Sequence, residues 1–274
     1  MRCLFCKKDS SGSRSVEHIL PESIGNTSQI LPRGVVCDQC NNYFSREVER
    51  PFLELSAIRL IRFHQAVPSK RGLVPTVAGL LSPDVPVIAE RFVKGPLAGA
   101  IALPPEAIEE LMKNGGGTLL LPAEAPLPSD SVVSRFLAKV GLEVMAQRLV
   151  EHPNGLDYLV GEEQLDPIRN HARRGDTREW PTSSRRIYNA ERQVTCLGAS
   201  DVQVVHEYDL LVTSSSEYFF VMAIFGLELA INLGGPEITG YNQWLAEHNN
   251  ESPLYCGKNA DIIGSPPRQG GNVR

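Results

Sequence analysis

The chain contains 274 residues, of which 42% are hydrophobic and 22% are charged. These proportions are typical of a globular protein with a full hydrophobic core, and they exclude a fibrous or intrinsically disordered chain. The formal net charge of −5 on its own argues against a nucleic-acid partner, because phosphate contacts come from lysine and arginine.

The charge is unevenly distributed along the sequence. Residues 1–72 contain eleven Lys and Arg against seven Asp and Glu, whereas residues 73–274 contain sixteen against twenty-five. Basic surface is therefore predicted mainly in the first part of the chain.

The sequence lacks the pattern of a membrane protein. Its most apolar stretch, Tyr218 to Leu233, is interrupted by Gly226 and Glu228 and is shorter than the roughly 20 residues of a membrane helix. The first residues lack the apolar segment of a secretory signal. We therefore expect no membrane partner and a cytoplasmic location.

Four of the six cysteines form two C-x-x-C pairs, Cys3 with Cys6 and Cys37 with Cys40, separated by thirty residues. In a cytoplasmic protein this pattern favours a metal site over disulfides, because four thiolates can close a tetrahedral shell around zinc. A complete thiolate shell leaves no position for water or substrate, so the predicted Zn²⁺ is structural. The alternative is a group of buried free cysteines.

The segment between and after these pairs is predicted to fold as strand, strand and helix. Residues 13–20 (SRSVEHIL) and 34–37 (GVVC) have the composition of strands. A helix is predicted from Asp38 or Cys40 onward, and Pro51 is expected to end or restart it.

This arrangement resembles the zinc-stapled branch of the HNH endonucleases. The shared elements are, in order, C-x-x-C, Glu-His-x-x-Pro with a glycine-containing turn, and C-x-x-C-Asn leading into a helix. The resemblance covers residues 1 to about 72 and implies a treble-clef, ββα-metal zinc finger unit that hydrolyses phosphodiester bonds. It also implies a catalytic Mg²⁺ or similar cation, and cleavage that leaves 5′-phosphate and 3′-hydroxyl ends.

The resemblance assigns roles residue by residue. His18 matches the general base, Glu17 matches the acidic metal ligand before it, and Asn41 matches the metal ligand on the helix. The middle asparagine of the family pattern falls on Pro32 or Arg33, which is a departure from that pattern.

This departure leaves open what holds His18 in place. Asn26 or a backbone carbonyl of the turn is the expected substitute. Adjacent residues of a strand also point to opposite faces, so Glu17 and His18 can share a site only if the chain bends before Pro21.

The same residue types suit phosphodiester hydrolysis on chemical grounds. An imidazole with an ordinary pKa of about 6.5 is largely neutral at pH 7 and can take a proton from water. One carboxylate and one amide oxygen form an incomplete shell of hard donors that suits Mg²⁺ and leaves room for a phosphate.

Each of these residues also has an ordinary structural interpretation. His18 can be a plain polar residue, Glu17 a solvated strand end and Asn41 a helix N-cap. Glu47 and Glu49 are expected to be solvated helix residues, although Glu49 could approach the metal.

Residues 73–128 are predicted to form a β-rich region that ends in a linker. Strands are expected around Val85–Val93 and Leu97–Leu103, followed by a helix from Pro104 to Lys113 and a strand in GGGTLLLP.

Residues 129–263 are predicted to form an α+β accessory domain of unassigned role. An amphipathic helix should begin at Ser129 or Asp130 and run to about Val150, and Val202–Leu233 should form antiparallel strands. Together with the zinc unit this predicts an α+β fold. Residues 264–274 are expected to be a disordered tail.

An arginine-rich segment in this second half is a candidate nucleic-acid contact. Arginine matches phosphate geometry, and Trp180 and Tyr188 lie between the arginines. The alternative is a solvated segment whose arginines pair with nearby acids. The candidates are Arg169, Arg173, Arg174, Arg178, Arg185 and Arg186.

Two functions remain open on the sequence. The first is a metal-dependent endonuclease acting on nucleic acid, with DNA favoured over RNA. The second is a non-catalytic zinc module that binds nucleic acid or protein. A regulated role in phage defence or restriction rests on analogy alone, and the sequence leaves homo-oligomer formation undecided.

Overall fold

The computed structural model describes residues 1–81, 85–128, 131–175, 179–195 and 201–258. The strands are β1 (Glu17–His18), β2 (Ile30–Leu31), β3 (Val77–Leu81), β4 (Val85–Arg91), β5 (Gly99–Ala102), β6 (Leu119–Leu120), β7 (Thr182–Arg186), β8 (Gln193–Thr195), β9 (Asp201–Gln203), β10 (His206–Val212), β11 (Tyr218–Ile224) and β12 (Leu227–Asn232). The α-helices are α1 (Asp38–Phe44), α2 (Arg50–Leu53), α3 (Ser56–His64), α4 (Pro105–Asn114), α5 (Ser131–Leu149), α6 (Gly155–Gly161), α7 (Asp166–Arg174), α8 (Thr239–Glu247) and α9 (Tyr255–Lys258). Short 3-10 turns cover Glu22–Ile24 and Glu163–Leu165, and a π-helical turn covers Ser45–Glu49.

The N-terminal unit is a short hairpin followed by helix α1. Strands β1 and β2 pair antiparallel, with Glu17 opposite Leu31 and His18 opposite Ile30. The strand predicted at residues 34–37 is wrong. Gly34 has a φ of 90° and Val35 donates a backbone hydrogen bond to Pro32, so the chain turns there and delivers Cys37 to the start of α1.

Helix α1 begins where the sequence predicted. The backbone N–H of Cys40 donates to the sulfur of the N-cap residue Cys37 at 3.4 Å. The π-helical turn joins α1 to α2 in one helical run over residues 38–53, because Ser45, Glu49 and Arg50 all keep right-handed helical backbone angles. Pro51 lies inside this run, so the expectation that Pro51 ends or restarts the helix is wrong.

Helix α5 is the central element of the core. It begins and ends within two residues of the predicted bounds, and most of its residues are buried. Gly141 allows the sheet to approach closely, because a Cβ there would lie 3.0 Å from Phe220 and 2.9 Å from Leu233. Phe52 stacks on Phe136 with ring centroids 3.7 Å apart, so α5 and the N-terminal unit share one core.

The largest sheet has the antiparallel order β10-β11-β12-β7. Strands β11 and β12 come from the apolar stretch noted above and are buried almost throughout. One face of the sheet, including Phe220 and Leu229, packs in the core with α5. The other face, including Phe219 and Val221, packs under Tyr241 and Leu245 of α8. Two covered faces explain the continuous apolar sequence.

A second antiparallel sheet has the order β5-β4-β3-β6, and a two-stranded ribbon joins β8 to β9. The predicted α+β class with antiparallel strands is therefore confirmed. Across the described ranges, no helix is both long enough and apolar enough to cross a bilayer. The predicted tail at 264–274 lies outside the described residues.

Candidate metal centre and active site

The four paired cysteines come together as the sequence predicted. Their sulfur atoms all lie within 4.8 Å of one another, and Cys3, Cys37 and Cys40 are buried. A side-chain hydrogen bond with Cys40 lowers the pKa of Cys3 to about 4, and the backbone N–H of Cys37 donates to the Cys3 sulfur at 3.3 Å. Four sulfur donors at this separation fit tetrahedral zinc.

Asn26 braces the loop between β1 and β2. Its side chain is 1% exposed and donates to the carbonyls of Leu20 at 2.8 Å and Gln29 at 2.9 Å. Its amide oxygen accepts from the N–H groups of Ser28 at 3.1 Å and Gln29 at 2.8 Å. These bonds close the loop that follows His18, and Asn26 is one of the two substitutes that the sequence suggested for the missing middle asparagine.

Replacing Asn26 with alanine should loosen this loop. The change removes four hydrogen bonds and leaves buried backbone groups unpaired, so the free energy of unfolding should fall by about 2–4 kcal/mol. Denaturant unfolding followed by circular dichroism measures the change. Thr27→Ala, at the exposed neighbouring residue, is the matched control and should change stability by less than about 0.5 kcal/mol. Equal stability of both variants would show that Asn26 is not a brace.

His18 lies at the end of β1 with one ring nitrogen engaged. Its Nε2 is 3.1 Å from Oε1 of Glu22, and Lys70 lies 3.4 Å from the same carboxylate oxygen. Its Nδ1 is buried and has no hydrogen-bond partner among the described residues. With its proton on Nε2, the imidazole can donate a hydrogen bond to Glu22 and keeps a lone pair on Nδ1. This tautomer can accept a proton at Nδ1.

Glu17 points into the core. Its side chain is 5% exposed, and its Oε1 lies 2.7 Å from Nζ of Lys139, whereas its Oε2 has no hydrogen-bond partner in the described part of the chain. Burial raises the pKa of Glu17, and the charge of Lys139 opposes that rise. Glu17 is thus a buried group with a charged partner rather than the solvated strand end of the structural interpretation.

Lys139, in the middle of α5, is the centre of a buried carboxylate cluster. Its ammonium lies 2.7 Å from Glu17, 2.8 Å from Glu49 and 3.0 Å from Glu143. It also donates to the backbone carbonyls of His18 at 3.2 Å and Ile19 at 3.4 Å. Burial opposes its charge, but the three carboxylates raise the pKa of Lys139 well above its ordinary value. Lys139 is therefore cationic.

Two acids of this cluster differ in their surroundings. Burial raises the pKa of Glu143 well above its ordinary value, and the charge of Lys139 opposes that rise. The prediction that Glu49 is solvated is wrong, because its side chain is only 16% exposed and contacts Lys139. The π-helical turn ends at Glu49 and brings it to the ammonium.

Asn41 links α1 to the start of the hairpin. Its Nδ2 donates to the carbonyl of Val16 at 3.1 Å. The N-cap interpretation of Asn41 is wrong, because Cys37 is the N-cap and Asn41 lies inside the helix. The three candidate residues thus lie around one hairpin and one helix, with Asn41 tied to Val16, Glu17 to Lys139 and His18 to Glu22.

Lys139 and Glu143 were not among the site residues predicted from the sequence. Both are charged residues four positions apart in the apolar run FLAKVGLEV. A lysine and a glutamate on one face of an otherwise apolar helix are a signal of a buried polar cluster, because charges are almost never fully buried unless paired.

The arginine segment does not form one exposed surface. Arg169 is 1% exposed and donates to Asp166, to the carbonyl of Glu162 at 2.8 Å and to the carbonyl of Leu159. The predicted contact of Arg169 with nucleic acid is therefore wrong, because its guanidinium is buried and holds the α6–α7 connection together.

The remaining arginines lie in separate places. Arg185 pairs with Glu228 and donates to the carbonyl of Asn250, and Arg186 donates to the carbonyl of Phe225. Arg173 and Arg174, near the end of α7, line a groove with Gln39, Cys40 and Tyr43 of α1. Arg178 lies outside the described residues.

Comparisons with known proteins agree with this geometry. Residues 3–55 match a family model described as HNH endonuclease. Searches of the curated proteins and of the solved structures found no match to the chain. The matched span contains all four clustered cysteines together with Glu17, His18 and Asn41. Residues 3–55 of the chain are therefore similar to the HNH endonuclease family.

Proposed function

We propose that the chain is a metal-dependent endonuclease that hydrolyses phosphodiester bonds of nucleic acid, with DNA as the primary substrate. The observation that carries this proposal is His18, whose buried Nδ1 is unpartnered among the described residues and whose Nε2 faces Glu22, inside a matched HNH endonuclease segment. Residues 1–72 would be the nuclease unit, with residues 73–128 and 129–263 as accessory regions.

The proposed reaction uses His18 as the general base. Nδ1 takes a proton from the attacking water, while Glu22 holds the Nε2 proton and fixes the ring plane. The Asn26 brace keeps the loop behind His18 closed. In this scheme the cysteine cluster holds zinc and does no chemistry, because four thiolates fill its shell.

A divalent cation would be held by Glu17 and Asn41. The fit rests on the buried Oε2 of Glu17, which no described residue hydrogen-bonds, and on the amide oxygen of Asn41, both hard donors that suit Mg²⁺. When bound, the cation would neutralise charge that builds up on the phosphate oxygens.

Binding would rest mainly on contacts with the phosphate backbone. The net positive residues 1–72 and the groove lined by Arg173 and Arg174 beside α1 supply the basic surface. We therefore propose weak sequence preference and an affinity that falls steeply with salt concentration.

A non-catalytic zinc module remains the second candidate. It is favoured by one observation, the engagement of Glu17 by Lys139 at 2.7 Å, which occupies one oxygen of the proposed metal ligand. Such a module would bind nucleic acid or protein through the same basic surface without cleaving it.

Supercoiled plasmid DNA separates the two candidates. We expect zinc-loaded protein to nick the plasmid in Mg²⁺, to stop when EDTA removes the Mg²⁺, and to resume when Mg²⁺ is restored, because the phosphate charge must be neutralised by the cation. End labelling should find 5′-phosphates. Zinc content is measured after each step, so that loss of the structural metal is recognised. Binding of the plasmid without nicking in either Mg²⁺ or Mn²⁺ would support the zinc module instead.

A further inference from the structure

The ammonium of Lys139 contacts β1, which carries two of the proposed active-site residues, and the helical segment that follows α1. It contacts Glu17 and the backbone carbonyl of His18 on β1, and it contacts Glu49 where the helical segment after α1 continues into α2. A single buried cation thus ties the strand that carries the proposed base to the helical side of the same unit.

Lys139 lies outside the family match, which ends at residue 55. It is contributed by α5, the helix at the centre of the shared core. Its side chain is fully buried, so it does not reach substrate from this position. Any effect that it has on cleavage must act through the residues that it holds.

The energetic cost of this arrangement is high. A buried lysine loses its hydration, and removing one partner of a buried ion pair is strongly destabilising because the other charge is left unpaired. Apolar residues of similar volume often fill such a position with equal or better stability, and the neighbours Ala138 and Val140 are apolar and buried. Stability alone therefore does not account for a charge at this position.

We propose that Lys139 is a positioning residue of the nuclease, through which α5 fixes β1 and Glu49 so that His18 and Glu17 are held in their reacting arrangement. This inference rests on the proposed function for its effect on cleavage. Its structural part, the fixing of β1 by Lys139, is measured separately from activity.

The variants are made in the full chain. Lys139→Met removes the charge with a side chain of similar shape, and the double variant Lys139→Met/Glu143→Gln also removes one of the acids that would be left unpaired. Glu143→Gln alone is the matched control, because Glu143 lies on the same helix as Lys139 and its carboxylate makes no hydrogen bond to β1 among the described residues. Zinc content and thermal melting are measured for all three.

Kinetics separate positioning from substrate binding. We expect the kcat of the double variant to fall by roughly 30- to 300-fold, while KM for DNA stays within roughly threefold, because a buried residue that orients catalytic groups affects the reaction rather than binding. Glu143→Gln should keep kcat within roughly threefold of the parent. A folded, zinc-loaded double variant with the parental kcat would overturn the proposal.

Amide hydrogen exchange tests the structural part without any catalysis. The N–H of Ile19 donates to the carbonyl of Gln29 across the hairpin. It should exchange roughly tenfold faster in the double variant, while the N–H of Asn41, bonded to Cys37 in α1, stays unchanged. Unchanged exchange at Ile19 would overturn the proposal.

Two further outcomes are decisive. Loss of zinc or of cooperative melting in both Lys139 variants would contradict a positioning role, because Lys139 would then be required for folding. A parent protein that does not cleave DNA, combined with faster exchange at Ile19 in the double variant, would refute the proposed nuclease function and leave the link between Lys139 and β1 standing.

Discussion

Replacing Cys40 with serine should abolish zinc binding and remove most of the stability of the protein. Cys40 is 4% exposed and lies within 4.8 Å of the other three sulfurs. A structural zinc supplies on the order of 10 kcal/mol of folding free energy in small zinc domains. The cysteines belong to the same hydrophobic core as α5, so the destabilisation should reach beyond the N-terminal unit.

Metal analysis and thermal melting measure this effect together. The parent should contain one zinc per chain, and Cys40→Ser should contain none and melt at least roughly 20 °C lower, or without a cooperative transition. Cys256→Ser is the control, since Cys256 is only partly buried and lies on α9, away from the cluster. A zinc-free Cys40→Ser protein with the melting temperature of the parent would contradict the structural role of the metal.

The sequence predicted those features whose signal is local. The two C-x-x-C pairs predict that the four cysteines lie together, because one metal ion needs all four sulfur atoms as ligands. The apolar residues concentrated in this part of the chain predicted the position of α5, although residues 136–144 are all buried, so α5 is not the amphipathic helix that was expected. The strands of residues 218–233 follow from an apolar run interrupted at Gly226, whose φ of 78° suits the turn between β11 and β12.

The features that the sequence did not predict depend on distant contacts. Val35 and Val36 are residue types that favour a strand, yet the chain turns at the preceding Gly34. The partner strand of β1 is instead Ile30–Leu31. The contact between Glu17 and Lys139 joins residues 122 positions apart, and no periodicity encodes such a pairing.

The arginine segment shows the same limit. Charge counting located the arginines but carried no information on which guanidinium groups face solvent. Arg169 is oriented inward by Asp166 and by backbone carbonyls of the α6–α7 connection, and this orientation depends on the packing of α7 against α5.

Replacing His18 with alanine should abolish cleavage while leaving the protein folded. The imidazole is the proposed proton acceptor, and removal of a general base typically lowers kcat by roughly 10²- to 10⁴-fold. The substitution also removes the contact between His18 and the partly exposed Glu22, and a hydrogen bond of this kind contributes about 0.5–1.5 kcal/mol. Zinc content, melting temperature and affinity for DNA should therefore stay close to those of the parent.

His152→Ala is the matched control for this variant. His152 is exposed at the turn that follows α5 and has no part in the proposed reaction, so its replacement should leave kcat within roughly twofold of the parent. A common loss of activity in both variants would point to a general effect of the substitutions rather than to a role of His18.

The most direct test is the single-turnover rate of plasmid nicking by zinc-loaded parent and His18→Ala protein, with enzyme in excess and Mg²⁺ present. Under these conditions differences in binding and product release drop out, and the rate reports the chemical step. The proposed role of His18 predicts a rate at least roughly 100-fold lower in the variant. Equal rates in two folded proteins of equal zinc content would contradict it.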